Sequence, residues 1–176
     1  PDVQAAKDAT RRQLEHVRDE GQLPETEPDV TDDALGVWGA AGAANLGEAL
    51  AGLLEDVPDR GYLALLAYLP ESAEITDYLD HMRTALRERF RLATTAGYGP
   101  RYLHSTGQIH KGGPAHGLFL MLTADADRQK VKLPGRDYDL GTLQLAQANG
   151  DFETLRDRDR RVVRVHLGKD VEDGLA

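Results

Sequence analysis

The sequence predicts an α/β fold, arranged as a three-layer α/β/α sandwich around a mostly parallel sheet of four to five strands. Two observations lead to this class. Short apolar runs such as 62–69 and 117–123 have strand length and are bounded by turn residues, as strands buried on both faces are. Amphipathic helical segments alternate with these runs, and this alternation is typical of parallel strands joined by covering helices.

Composition and charge exclude several classes of protein. The chain has 176 residues, of which 40% are apolar, enough for one domain with its own core. The net charge is −9 and the basic residues are scattered among acidic neighbours, which excludes a duplex-binding face. Because the chain has no cysteine and no apolar run of membrane-spanning length, we expect a cytoplasmic protein without nucleic-acid or membrane partners. It begins at Pro1 rather than Met, which favours a piece of a longer protein.

The N-terminal part predicts one helix followed by a linker. Helical spacing over 2–20 gives a thin apolar stripe, which we expect to pack on something larger; its members are Val3, Ala6, Thr10, Leu14 and Val17. An acidic segment with two prolines, 22–33, then predicts a loop. We therefore divide the chain into a helix and acidic linker at 1–30, a main domain at 31–168 and an acidic tail at 169–176.

The first half of the main domain predicts two strands and two helices. Leu35 to Trp38 predicts a short strand inside a stretch rich in glycine and alanine. The motif GAAGAANLG in this stretch lacks the Lys-Ser/Thr ending of a phosphate loop, so we expect the glycines to serve close packing. A helix at 45–56 and a buried strand at 62–69 follow. Ser72 is a suitable cap for a helix that continues to Phe90.

The second half continues the alternation. Its predicted elements, in order, are a strand at 92–98, a helix or broken helix at 101–111, a strand at 117–123, a polar loop at 124–137, a helix capped by Asp139, a second helix capped by Asp151, and a strand at 161–167. The pair Asn149-Gly150 predicts the break between the two helices. The charged run 156–161 predicts a solvated helix end.

Chemistry-bearing residues concentrate in the stretch 97–123. In an open parallel sheet, ligands bind beyond the carboxyl ends of the strands. Glu71 and Ser72 follow one predicted strand, and a polar set follows another: Arg101, His104, Ser105, Thr106, Gln108 and His110. Helix N-termini at these places offer backbone N–H groups to an anion. The pattern therefore suits a polar, phosphorylated metabolite.

His110 is the leading candidate for acid–base work because histidine exchanges a proton near neutral pH, although a loop histidine is more often structural. His104, His110 and His116 recur every six residues, a spacing that fits neither a helical nor a turn-type zinc site, so we predict no metal. A Ser-His-Asp triad through Ser105 lacks the GxSxG elbow. The dinucleotide fingerprint GxGxxG is also missing from the sequence.

Three segments carry a family resemblance: ATTAGYGPRYLHSTGQIHKGGP, LPGRDYDLGTLQLAQANGD and RRVVRVHLG. They closely resemble the end of bifunctional transaldolase–phosphoglucose isomerase proteins, over roughly residues 60–168. The resemblance implies a sugar-isomerase (SIS) type domain, in which helices sandwich a parallel sheet that binds phosphosugars. It also implies an upstream transaldolase barrel and an upstream first SIS subdomain in the same chain.

The resemblance assigns roles to several residues. His110, after Gln108 in GQIHKGG, matches the histidine that helps to open the sugar ring. Glu71, followed by Ser72, matches the glutamate that moves a proton between C1 and C2 through an enediol. Residues expected to position substrate are Arg101, His104, Ser105, Thr106 and Gln108. The family's C-terminal lysine has no counterpart in GTLQLAQ, 141–147, so ring opening rests either on His110 alone or on His110 with Gln144, Gln147 or Lys111 as a substitute.

The resemblance implies a cofactor-free isomerase that interconverts glucose 6-phosphate and fructose 6-phosphate. We expect this piece to fold alone with little or no activity, because the missing subdomain supplies most phosphate contacts in the family. In the parent enzymes this histidine often serves the neighbouring subunit's site, which raises homodimerisation as a way to complete the site. The alternative is a non-catalytic phosphosugar-binding or assembly domain, and a metal hydrolase using the three histidines is a third hypothesis.

Overall fold

The protein is described by a computed structural model that covers residues 2–126 and 130–175, without the side chains of residues 2 and 3. The side chain of Val3, which belongs to the predicted stripe, and residues 127–129 of the predicted loop therefore lie outside the described part. The elements, in chain order, are α1 Asp2–Glu20, β1 Val30–Asp32, β2 Leu35–Trp38, α2 Leu46–Leu54, β3 Tyr62–Tyr68, α3 Ala73–Phe90, β4 Ala93–Tyr98, α4 Gly107–Gly112, β5 Gly117–Thr123, α5 Leu140–Arg156, β6 Arg161–His166 and α6 Val171–Leu175. A short 3-10 helix, Arg101–His104, precedes α4.

The sheet has six strands in the order β1-β2-β6-β5-β3-β4. The prediction of four to five strands is wrong by the extra strand β1, which lies in the segment 22–33 expected to be loop. Val30 is buried and pairs with Val37 of β2, so this short strand completes an antiparallel hairpin at the edge of the sheet. The other four strands, β3 to β6, are parallel, as the alternation predicts.

Helices cover both faces of the sheet, in agreement with a three-layer arrangement. Along β3, Leu63, Leu65 and Ala67 face a core closed by α2, α3 and α6, whereas Ala64 and Leu66 face a second core with Phe152 of α5. α1 packs on α5 rather than on the sheet. The narrow apolar stripe of α1 therefore packs against a larger part of the protein, as the sequence predicts.

One continuous helix, α5, replaces the two helices predicted around Asn149-Gly150. Gly150 does not end a helix; it lets α1 approach, since an added Cβ would lie 2.7 Å from the backbone nitrogen of Thr10. Asp151 is likewise not a cap but a buried side chain in mid-helix. The predicted caps Ser72 and Asp139 are confirmed, because each accepts a bond from a backbone N–H three residues later.

Two further expectations need correction near the chain's end. The run 156–161 ends α5, but its last two arginines are not simply solvated. Arg160 donates to the carbonyl oxygens of Lys111 and Gly113, and Arg161 donates to carbonyls at the end of α2. The segment 169–176, expected as an acidic tail, contains α6, whose Val171 is buried in the core. No helix within the described residues has the length and apolarity to cross a membrane.

Candidate functional site

The topology defines where a ligand should bind. From β3 the chain passes through α3 to β4 on one side, and then crosses to β5 on the other side of β3. Such a reversal opens a crevice beyond the carboxyl ends of the strands on either side of the switch point. The segments after β3, β4 and β5 meet at this edge, and they include Glu71, Arg101 and Asp125.

Glu71 and Arg101 meet at this edge although 30 residues separate them in the chain. A guanidinium nitrogen of Arg101 lies 2.6 Å from a carboxylate oxygen of Glu71, and both side chains are more than half exposed. The guanidinium also lies over the ring of Tyr98, 5.8 Å from its centre. The hydroxyl of Ser72, in contrast, already serves as a helix cap, because it accepts a hydrogen bond from the backbone N–H of Ile75.

A groove of about 210 Å³ runs along the edge strand β4, beneath the 3-10 helix and α4; we call it the β4 groove. Four of the residues that the sequence singled out line it: Arg101, Ser105, Thr106 and His110. Tyr98 and Tyr102 contribute aromatic walls. The lining of the β4 groove thus includes both the candidate imidazole and Arg101, the partner of Glu71.

His110 lines the β4 groove and is 4% exposed. Its Nδ1 is 2.9 Å from the hydroxyl of Tyr62, and its ring packs edge-on against Phe119. Burial, and secondarily the nearby charge of Lys111, lowers the pKa of His110 to about 4. The imidazole is therefore neutral at pH 7 and is a weaker base than an exposed histidine.

Lys111 lies inside the protein rather than at the groove. Its ammonium contacts the Asp151 carboxylate, and each side chain is 1% exposed. The hydroxyls of Tyr68 and Tyr102 both donate to the other carboxylate oxygen of Asp151. This cluster, which we call the Asp151 cluster, joins α4, α5, β3 and the 3-10 helix in the core.

The remaining candidates do not line the β4 groove. His104 and Gln108 are exposed on the helices above it. The side-chain amide of Gln144 lies 3.5 Å from the carbonyl oxygen of Gly99, and Gln147 is half-buried one turn further along α5. His104, His110 and His116 do not converge, and no group of three or more potential ligands within the described residues is arranged to hold a metal ion.

Several polar residues of the site escaped the sequence analysis. Tyr62, Tyr68 and Tyr102 lie in or beside apolar segments, so only the fold reveals their hydroxyls as partners of His110 and Asp151. At the carboxyl ends of β5 and β6, the ring of His166 bridges Thr123 and Asp125, at 3.0 Å and 2.9 Å. In the sequence, these two residues could have been recognised because Thr123 and Asp125 lie two positions apart at the end of a predicted strand.

Comparison with known proteins gives the fold and no family. No protein-family model matches the chain, and no curated protein matches it either. Among solved structures, the fold is similar to that of a hypothetical protein from Thermus thermophilus, TT0462, with a TM-score of 0.58 and 17% sequence identity. The match covers 74% of this chain and 36% of that chain, so this chain spans about a third of that protein's length. At this identity the likeness concerns the fold alone.

Proposed function

We propose that the chain is the C-terminal, substrate-binding part of a phosphosugar isomerase that interconverts glucose 6-phosphate and fructose 6-phosphate. The observation that carries the proposal is the β4 groove, whose lining includes His110 and Arg101, with Glu71 paired to Arg101 beside it. These residues come from two separate segments of the sequence, one after β3 and one after β4. The resemblance of 60–168 to bifunctional transaldolase–phosphoglucose isomerases supplies the substrate class.

We assign the ring-opening step to the imidazole of His110, as the resemblance implies. It accepts the proton of the anomeric hydroxyl as the C1–O5 bond breaks, and it returns that proton to O5, which keeps the electron pair of the bond. The Tyr62 hydroxyl at Nδ1 fixes the orientation of the ring for this exchange.

Glu71 suits the isomerisation step. In the open-chain aldose its carboxylate takes the proton from C2 to give the enediolate, and it delivers that proton to C1 while the hydroxyl proton passes from O2 to O1, so that the ketone forms at C2. Arg101, in contact with Glu71, presents a guanidinium that pairs with a phosphate or sugar oxygen at the exposed mouth of the groove. The groove is smaller than most ligand pockets, about 210 Å³, which agrees with a site completed by another subdomain or subunit.

The experiment is a calorimetric titration of the chain with fructose 6-phosphate. We expect Arg101→Ala to weaken binding by about tenfold or more, the amount typical of a lost charge-assisted hydrogen bond. Arg11→Ala is the matched control, because Arg11 is equally exposed, 66%, and pairs with Asp8 on α1. Equal binding by the two variants, or no binding by the unaltered chain, would overturn the proposal.

A second candidate is a phosphosugar-binding domain without catalysis. The observation that favours it is the position of Lys111, which the Asp151 cluster holds in the core and which therefore does not replace the family's lysine. Under this alternative, fructose 6-phosphate binds but a coupled assay of the longer protein shows no isomerase turnover. Under the first proposal, His110→Gln in that longer protein removes turnover while binding persists.

A further inference from the structure

A second, larger cavity lies away from the β4 groove, toward the opposite edge of the sheet. It has a volume of about 590 Å³ and lies at the amino end of β6, between the loop 39–43, helix α2 and the end of α5. This size falls within the usual range of small-molecule sites. We call it the amino-edge cavity.

Three arginines from a six-residue segment line the amino-edge cavity: Arg156, Arg160 and Arg161. Arg160 donates to main-chain carbonyls at the end of α4, and Arg161 donates to main-chain carbonyls at the end of α2. Arg156 stacks on the ring of Phe152, with 5.7 Å between guanidinium and ring centre. Among the described residues, none of the three forms a salt bridge with a carboxylate, and Arg160 and Arg161 are held by neutral carbonyl groups instead.

Two carboxylates also line the cavity, and both are already hydrogen-bonded. Asp29 accepts the backbone N–H groups of Gly39 and Ala40, at 2.7 Å and 3.0 Å. Glu48 accepts the backbone N–H of Ala44 at 2.9 Å. Three cations against two anions leave the cavity locally positive in a chain whose net charge is −9.

We propose that the amino-edge cavity is a second ligand site, which binds a small phosphorylated anion such as a diphosphate or phosphate ester. Arginine is the side chain best suited to phosphate oxygens, because its planar group donates two parallel hydrogen bonds. Two of the guanidinium groups are held rigidly by helix-end carbonyls, so little conformational entropy is lost when the anion binds. The loop 39–43 consists of glycine and alanine, which leaves the cavity open above these groups.

The test is a calorimetric titration of the chain with inorganic pyrophosphate at physiological salt. Arg156→Gln should weaken binding about tenfold or more, because the exposed guanidinium, which stacks on Phe152, would donate charge-assisted hydrogen bonds to the anion. Arg89→Gln is the matched control: Arg89 stacks on Phe90 at 5.8 Å, near the end of α3 and outside the cavity. We expect it to bind as the unaltered chain does.

A blocking variant makes the test independent of arginine chemistry. Ala41 is exposed on the loop that forms one wall, so Ala41→Glu adds bulk and negative charge with little effect on folding. We expect pyrophosphate binding to be lost in this variant. Circular dichroism checks that each variant is folded as the unaltered chain is.

Each other outcome overturns the proposal. These outcomes are no binding by the unaltered chain, equal binding by Arg156→Gln and Arg89→Gln, or full binding by Ala41→Glu. Binding that is lost in Arg101→Ala but kept in Arg156→Gln would place the anion in the β4 groove instead. Equally tight binding of sulfate would make the site a general anion site rather than one for phosphorylated ligands. Failure here leaves the fructose 6-phosphate result unaffected, since that depends on Arg101.

Discussion

Replacing Lys111 by methionine should expose the energetics of the Asp151 cluster most clearly. Methionine keeps the length and apolar volume of the lysine stem but removes the ammonium that contacts Asp151. Burial raises the pKa of Asp151 to about 8 in the unaltered chain, and the hydrogen bond from the Tyr68 hydroxyl opposes this shift. A neighbouring positive charge favours the ionised carboxyl, so removing the ammonium should raise this pKa further.

The size of the effect follows from the loss of one partner of a buried pair, which costs roughly 3–5 kcal/mol. In the unaltered chain the folded state already keeps, up to about pH 8, a proton that the unfolded chain releases near pH 3.8, so stability falls over this range by about 1.36 kcal/mol per pH unit. Because the pKa of Asp151 is higher still in the variant, its stability should go on falling above pH 8, where that of the unaltered chain levels off.

Urea unfolding of Lys111→Met at several pH values, followed by circular dichroism, measures this slope against the unaltered chain. The double variant Lys111→Met/Asp151→Asn should recover most of the loss, because the amide oxygen still accepts the hydroxyls of Tyr68 and Tyr102 without a charge. A loss below about 1 kcal/mol, independent of pH, would show that the ammonium does not stabilise Asp151 and would refute the reasoning.

Two more predictions concern the backbone and His110. Gly39→Ala should lower the free energy of unfolding by more than about 2 kcal/mol, because Gly39 has φ +82° and an added Cβ would lie 2.2 Å from the carbonyl oxygen of Val162. The control is Gly21→Ala, at φ +80° with open space around it, which should cost only about 1 kcal/mol in the same urea unfolding. Equal losses in the two variants would contradict the packing argument. Since the pKa of His110 is lowered to about 4, the folded state resists protonation, so stability should fall as the pH drops from about 6.5 to about 4, by about 1.36 kcal/mol per unit. His110→Gln should lack this component, and an identical pH profile for the variant would argue against a neutral, buried ring.

The sequence predicts the layers and the parallel strands well because each depends on local patterns. The run 62–69 is apolar on both faces, and its central position between β5 and β4 agrees with that. Ser72 and Asp139 are recognised as caps from their residue type and the apolar periodicity that follows. These signals lie within a few residues of the feature that they predict.

The failures concern contacts between distant segments. Asn149-Gly150 has the local pattern of a helix end. In the fold, however, Gly150 lies in mid-helix and allows close packing against α1, some 140 positions earlier in the chain. Asp151 has the local pattern of a cap, but its carboxylate is satisfied by Lys111, Tyr68 and Tyr102 from three other elements. β1 forms because its partner β2 is present, which no pattern in the acidic linker indicates.

In the candidate site too, features with a local pattern are predicted from the sequence and contacts between distant segments are not. The cluster of residues after β4 is recognisable in the sequence, and the fold brings Arg101, Ser105, Thr106 and His110 to one groove. The partners that set their chemistry are not recognisable, because Tyr62 lies 48 residues before His110 and at the start of an apolar strand.

The central claim is that a phosphosugar enters the β4 groove and reaches His110. Histidine ring nitrogens report this directly in long-range ¹H–¹⁵N spectra recorded while fructose 6-phosphate is added. The ring of His110 should shift progressively and saturate with the calorimetric binding curve, while His81, which is exposed on α3 and bonded to the carbonyl oxygen of Asp77, should stay unchanged. Saturable binding that leaves the His110 signals in place, or moves them no more than those of His81, would contradict the claim.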